Sequence, residues 1–131
     1  MKNFEEIYKN LEKMIGKTNI TQFVQKGSCA CALISENNVY YGGNYKAECG
    51  LTRCAEQIAV GNALMNNETK FDYAMILYRT NELICPCGVC RELFAQINEK
   101  NLDMKIILSL KPLKTIKLSK LLTNWWGENR K

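Results

Sequence analysis

The sequence predicts an α/β domain of three layers around a mixed sheet, and three observations predict it. Apolar residues recur at helical spacing over the first 15 positions, two strand-like runs separated by a polar turn follow, and helical and strand-like segments alternate after that. At 131 residues with 47% hydrophobic side chains the chain suits one core, so residues 1–131 are expected to form a single domain.

Phe4, Ile7, Tyr8, Leu11, Met14 and Ile15 form the stripe of an amphipathic first helix, which Gly16 stops. Ser28 to Ser35 and Val39 to Gly43 are small, apolar or β-branched enough for two strands, with Glu36-Asn37-Asn38 as a tight turn between them. An irregular stretch from Gly43 to Leu51 precedes a helix that Thr52 is placed to cap, with Ala55, Ile58, Ala59 and Ala63 or Leu64 on its apolar face and a polar Asn66-Asn67 end. Tyr73 to Tyr78 reads as a buried strand and Met104 to Leu110 as another. Between them, Cys87 to Glu99 reads as a helix with Cys90, Leu93, Phe94 and Ile97 on one face. The remainder holds a short amphipathic piece ending in Leu121, Leu122, Trp125 and Trp126.

Composition narrows the chemistry. There are seven cysteines and no histidine, which removes every mechanism that needs an imidazole base or ligand and leaves any metal to sulfur and carboxylate. No leader-like start and no apolar run near the roughly 20 residues of a membrane helix is visible, so a cytoplasmic protein with reduced thiols and no membrane partner is expected. The net charge of +5 gathers partly in Lys111, Lys114, Lys117 and Lys120, without the interleaved aromatics that stack bases, so a solvated face is expected rather than a nucleic-acid polymer as partner.

Pro86-Cys87-Gly88-Val89-Cys90 puts two thiols three positions apart at a helix start, where they project to one side and where the helix N-terminus favours thiolate. Alone, this spacing serves a zinc site or a redox dithiol equally. Thr52-Arg53-Cys54-Ala55-Glu56 supplies a third cysteine and a carboxylate at another helix start. Three thiolates leave one zinc position for water, the open form of a catalytic site, and Glu56 beside that water can serve as general acid and base.

The pair Cys54-Ala55-Glu56 and Pro86-Cys87-Gly88-Val89-Cys90-Arg91 resembles the C-A-E and P-C-G-x-C-R motifs of the cytidine deaminase family, a zinc deaminase signature. The likeness extends over Gly43-Asn44, Gly50-Leu51-Thr52 and Leu121-Leu122, and it is also similar to blasticidin-S deaminase. It implies a three-layer α/β/α domain with a mixed sheet of about five strands. It makes Cys54, Cys87 and Cys90 the Zn2+ ligands and Glu56 the proton shuttle for hydrolytic deamination of cytidine or deoxycytidine to the uracil nucleoside and ammonia, a step of pyrimidine salvage. It also implies that Ala55 holds the base through its amide, that Asn44 contacts the sugar, and that the chain forms a homotetramer with shared active sites.

The chain departs from the family pattern at several positions. Lys46 stands where a glutamate usually grips the sugar hydroxyl, Gln57 where an arginine usually follows the catalytic glutamate, and Lys26 where a base-stacking phenylalanine is usual, with Phe23 close by. Trp125 or Trp126 is expected to replace the family's C-terminal aromatic. Arg53, Arg91 and the two helix N-termini are the candidates for offsetting thiolate charge in place of Gln57. Cys29 and Cys31 are read as buried apolar strand residues and Cys49 and Cys85 as spare thiols. Two other readings stay open: a substrate such as blasticidin S or another modified aminopyrimidine nucleoside, and a zinc-stapled binding module without catalysis.

Overall fold

The computed structural model describes residues 3–130. Helix α1 (Phe4–Met14) begins where the side chain of Asn3 accepts the Glu6 N–H at 3.1 Å and ends at Ile15, whose N–H returns to Glu12 O. Gly16 follows with φ +147° and donates to the carbonyl of Gly27, so the stop expected there also ties the helix end to the sheet.

The strands are β1 (Thr18–Asn19), β2 (Gln25–Ile34), β3 (Val39–Lys46), β4 (Tyr73–Tyr78), β5 (Lys105–Leu110) and β6 (Leu113–Lys117). They form one mixed sheet in the order β1-β2-β4-β5-β6, with β3 also on β2, and only β4 and β5 run parallel. The sheet thus has six strands where about five were expected. The two-residue β1 carries too little pattern to be read. Strand β6 is a largely exposed edge carrying Lys114 and Lys117, which from sequence looks like solvated chain and in the fold is what keeps an edge from pairing with others.

Alternation along β2 and β4 divides the core. Ala30, Ala32, Ile34, Met75 and Leu77 pack with Ile7 and Leu11 of α1 on one face. Cys31, Leu33, Ala74 and Ile76 pack on the other face against Ala55, Ala59, Val60 and Ala63 of α2 (Ala55–Met65) and Phe94 of α3 (Gly88–Ile97). This is the three-layer arrangement the sequence predicts. The helix expected over Cys87 to Glu99 stops at Ile97 and resumes as a 3-10 turn, Glu99–Asp103, whose Asn101 is fully buried. Asn101 accepts the Phe71 N–H and donates to Thr69 O and Phe94 O, which locks the end of α3 to the chain entering β4. A short helix α4 (Leu118–Leu121) and a 3-10 turn, Trp126–Asn129, complete the described chain.

One contact sets the position of α2. A Cβ added to Gly42 of β3 would lie 2.3 Å from Ala59 N and 2.4 Å from Ala55 O, so only glycine lets this helix press against the strand. No helix of the described residues is long and apolar enough to cross a membrane.

Candidate active site

Helices α2 and α3 start beside one another. Cys54 is the N-cap residue of α2 and Cys87 of α3, which places both sulfurs at the positive end of a helix. Thr52, expected to cap α2, bonds instead to the N–H and carbonyl of Ala47 and closes the loop before the helix. That loop is pinned by paired backbone bonds between Tyr45 and Arg53.

The other start is set by a turn after β4. The Tyr78 N–H reaches Glu82 O and the Ile84 N–H reaches Ile76 O, so the chain doubles back and delivers Cys85-Pro86-Cys87 to the same edge. Arg91 fixes it there, donating through Nε to Pro86 O at 2.8 Å and through Nη1 to Leu121 O at 3.1 Å. Arg53 donates to the carbonyls of Gly50 and Thr52. Both guanidinium groups therefore serve backbone carbonyls around the two cysteine turns.

The sulfurs of Cys54 and Cys87 are 3.9 Å apart and those of Cys87 and Cys90 3.5 Å, and all three lie within 4.8 Å of one another. Tetrahedral zinc with bonds of about 2.3 Å requires its sulfurs about 3.8 Å apart, so the spacing fits that ion. Among the described residues no fourth histidine, cysteine or carboxylate joins the group, which matches a site with one position left for water or substrate.

The electrostatics fit a cation as well. Burial raises the Cys54 thiol, and burial together with the Glu56 charge raises Cys90 far more. Burial opposes ionisation of Cys87 too, but the Cys90 N–H, the neighbouring thiols and the Val89 N–H outweigh it and bring Cys87 below its ordinary value. Of the three, Cys87 is the most readily ionised, and a bound cation would favour loss of the other two protons.

Glu56 is the second residue of α2, at 4% exposure, and burial raises its carboxyl, with its own backbone N–H and the Cys90 thiol drawing it partly back. It shares the wall of a cleft of about 320 Å³ with Cys54, Cys87, Ala55, Asn44 and Lys46. That volume is at the lower end of the range for small-molecule sites. Strand β3, expected to end at Gly43, runs on to Lys46 and so carries Asn44 and Lys46 to the cleft as strand residues. The Oδ1 of Asn44 accepts the N–H groups of Ser28 and Cys29 at 3.0 and 2.9 Å, where the β2–β3 register shifts. These two donors fix the amide's orientation and leave its NH2 for the cleft.

Trp125 and Trp126 are not on this wall. Both indole N–H groups donate to the carboxylate of Glu92, at 2.9 Å each, and hold the C-terminal segment against α3. Cys31 is buried in the core as expected, and Cys49 is exposed. Cys85 lines the cleft, and so does Cys29, whose thiol is pushed up to about 12, chiefly by burial and then by Glu56. The cleft also contains Tyr78, Arg79 and Ile84, which sequence reasoning missed because the turn that brings them there depends on the pairing of Leu77 with Leu83.

The family model described as cytidine and deoxycytidylate deaminase zinc-binding region matches residues 5–105. The chain is similar to the cytidine deaminase of Mycoplasma genitalium, 29% identical over 124 residues, 93% of this chain and 94% of that one. A shorter likeness, 38% over 53 residues, covers 34% of this chain and 38% of the blasticidin-S deaminase of Bacillus cereus. Among solved structures, the cytidine deaminase of Mycobacterium tuberculosis superposes with a TM-score of 0.75 at 18% identity over 97% of this chain and 99% of that one. The Burkholderia pseudomallei cytidine deaminase superposes with 0.69 at 22% over 95% and 98%. These two show a shared fold.

Proposed function

The chain belongs to the cytidine and deoxycytidylate deaminase family and is a zinc-dependent deaminase, and from that premise we propose that it hydrolyses the exocyclic C–N bond of cytidine or deoxycytidine. The observation that carries this reading is the placement of a buried carboxylate, Glu56, on the same cleft wall as a three-sulfur group that lacks a fourth protein donor among the described residues.

Cys54, Cys87 and Cys90 hold the zinc, which when bound acts as a Lewis acid and lowers the pKa of water toward neutrality. The chain's own residues do the rest. Glu56, raised by burial, accepts a proton from the attacking water and passes it to the ring nitrogen beside C4, then takes the remaining proton of the hydroxyl added at C4 and delivers it to the amine, which departs as ammonia. The Ala55 N–H, free in the first turn of α2, holds the base, and the Asn44 amide, anchored by Ser28 and Cys29, is offered to the sugar. Ala55 and Glu56 are buried at the floor of the cleft, which keeps bulk solvent away from the reacting groups.

The biological setting in this reading is pyrimidine salvage in the cytoplasm by a single catalytic domain. In this reading the chain assembles as a homotetramer, as the family resemblance implies, and a second, open groove beside the sulfurs, where Tyr45 and Val89 are exposed, is a surface that a neighbouring copy could cover. A second substrate reading, blasticidin S or another modified aminopyrimidine nucleoside, is favoured by Lys46 on the cleft wall and by the partial likeness to blasticidin-S deaminase.

Ammonia release by zinc-loaded protein on cytidine, deoxycytidine, cytosine and blasticidin S tests these readings, with Glu56→Ala as control. Turnover of the nucleosides that Glu56→Ala abolishes while zinc stays bound is the expected result. Retained turnover in the variant sinks the mechanism, and silence on the whole panel points to a nucleoside outside it or to a zinc that only staples the two helices.

A further inference from the structure

A bound pyrimidine presents a flat π-face, and the aromatic side chains expected to meet it lie elsewhere. Lys26 stands where a ring is usual, Phe23 is 58% exposed and off the cleft wall, and both tryptophans are held by Glu92. Among the described residues that line the cleft, Tyr78 is the one aromatic ring.

Alternation along β4 fixes where that ring points. Ala74 and Ile76 pack with α2 and α3, and Met75 and Leu77 pack with α1, so Tyr78 projects from the same face as Ile76. It is the last residue of the strand and is half-buried. In the β2–β4 register it lies opposite Cys29, with the two side chains about 5 Å apart on one face. Glu56 and Cys54 both act on the Cys29 thiol, so the Tyr78 ring stands one side chain away from the groups that react.

The turn that follows holds the ring in place. The Tyr78 N–H donates to Glu82 O at 2.9 Å, the Tyr78 carbonyl accepts the Asn81 N–H at 2.8 Å, and the Tyr8 hydroxyl of α1 donates to Asn81 O at 3.0 Å. The Arg79 guanidinium lies over one face of the ring, 5.0 Å from its centre. No other ring or cation of the described residues rests on Tyr78, so the opposite face is open to a ligand.

We propose that Tyr78 is the residue on which the base stacks, so that this chain recognises the planar face of its pyrimidine from the end of β4 rather than from the start of β2. The proposal rests on the deaminase reading above. Ile84 and Cys29, which line the same cleft, supply apolar surface around the stacked base. One base on one aromatic ring adds on the order of tenfold in affinity. Attack at C4 leaves C5 and C6 planar, so the stack is made in the bound substrate and in the transition state alike, and it acts on KM while leaving kcat nearly unchanged. A base saturated at C5 and C6 is puckered, has no π-face there and does not gain from Tyr78.

The test measures kcat and KM for cytidine, and inhibition by uridine and by dihydrouridine, on the zinc-loaded wild type, Tyr78→Phe and Tyr78→Leu. Tyr78→Leu should raise the cytidine KM and the uridine inhibition constant on the order of tenfold, with kcat and dihydrouridine changed by about twofold or less. Tyr78→Phe, which keeps the ring, should restore wild-type values. Equal weakening of uridine and dihydrouridine, a loss confined to kcat, or a Phe variant as damaged as the Leu variant overturns the inference and leaves the deaminase reading intact. Should Tyr78→Leu fail to fold, fluorine NMR of the wild type labelled with 3-fluorotyrosine decides. Of its six tyrosine signals, the one that Tyr78→Phe deletes should move upfield with uridine and stay in place with dihydrouridine. A signal unmoved by saturating uridine overturns the stack. Wild type that neither deaminates cytidine nor binds uridine removes both this inference and the cytidine reading beneath it.

Discussion

Gly42→Ala is expected to dismantle the active site from behind. The new methyl would sit 2.3 Å from Ala59 N and 2.4 Å from Ala55 O, against ordinary contacts of 3.4 Å or more, a deficit of about 1 Å. Both atoms belong to one backbone hydrogen bond in the first turns of α2, so no side chain can rotate away and the helix itself must move. Overpacking of this kind costs up to about 3 kcal/mol. A displacement of about 1 Å also carries Cys54 and Glu56 away from Cys87 and Cys90, whose spacing suits one ion, and a misplacement of that size lowers rate on the order of 100-fold. The neighbouring Gly43→Ala is the control, because its methyl would meet only Met14 Cε at 3.5 Å and Cys29 O at 4.0 Å. Urea unfolding, zinc competition against a chromophoric chelator and kcat/KM are measured on both variants. A Gly42→Ala protein with the stability, zinc affinity and activity of Gly43→Ala would refute the claim that this close approach positions the site.

Three other outcomes follow from individual contacts. Asn101→Ala leaves the Phe71 N–H and the carbonyls of Thr69 and Phe94 without their buried partner, and urea unfolding should show a loss of about 2–4 kcal/mol. Asn44→Asp keeps an acceptor for Ser28 and Cys29 but removes the donor facing the cleft, so unfolding midpoints should hold while kcat/KM falls by about tenfold or more; equal loss of both would show that the amide only braces the strand. The Trp125 N–H, then Gln96 and Trp126, hold the Glu92 carboxyl below its ordinary value, so the clamp's contribution is complete above the unfolded carboxyl's titration range and is lost as pH falls through the lower folded value. Those are the chain's only two tryptophans, so an acid-induced change in their fluorescence should vanish in Glu92→Ala, and its persistence would exclude Glu92 as the titrating group.

The site was legible in sequence where chemistry depends on short spacing. Cys87 and Cys90 share a helix start, and Cys54 and Glu56 occupy another, so each pair's geometry is local and only their meeting requires the fold. The strands and helices of the interior were equally readable, because burial on both faces of β2 and β4 gives continuous small or apolar runs and burial on one face of α1 imposes a helical period. What escaped depends on contacts between distant residues with no local signature. Arg79 reaches the cleft through a turn closed by Glu82 and Ile84, Trp125 and Trp126 meet Glu92 across 33 and 34 residues, and Thr52 serves Ala47 rather than α2. Strand β6 was hidden by its exposure, since an edge strand with lysines has no apolar period to display.

The two cysteine turns that meet at the cleft are separated in the chain by α2, β4 and the turn after it, so an ion shared by Cys54 and Cys87 is a cross-link between positions 33 residues apart. Affinity for that ion and the folding free energy of the layer beneath it are one linked quantity. Strain at Gly42, an empty place at Asn101 or a weakened Arg91 tether would each surface as zinc that leaves more easily, far from the atoms that were changed. The metal thus makes the integrity of the whole α2–β4–α3 layer readable at a single point, and a zinc-poor variant is a report on that layer before it is a report on any ligand.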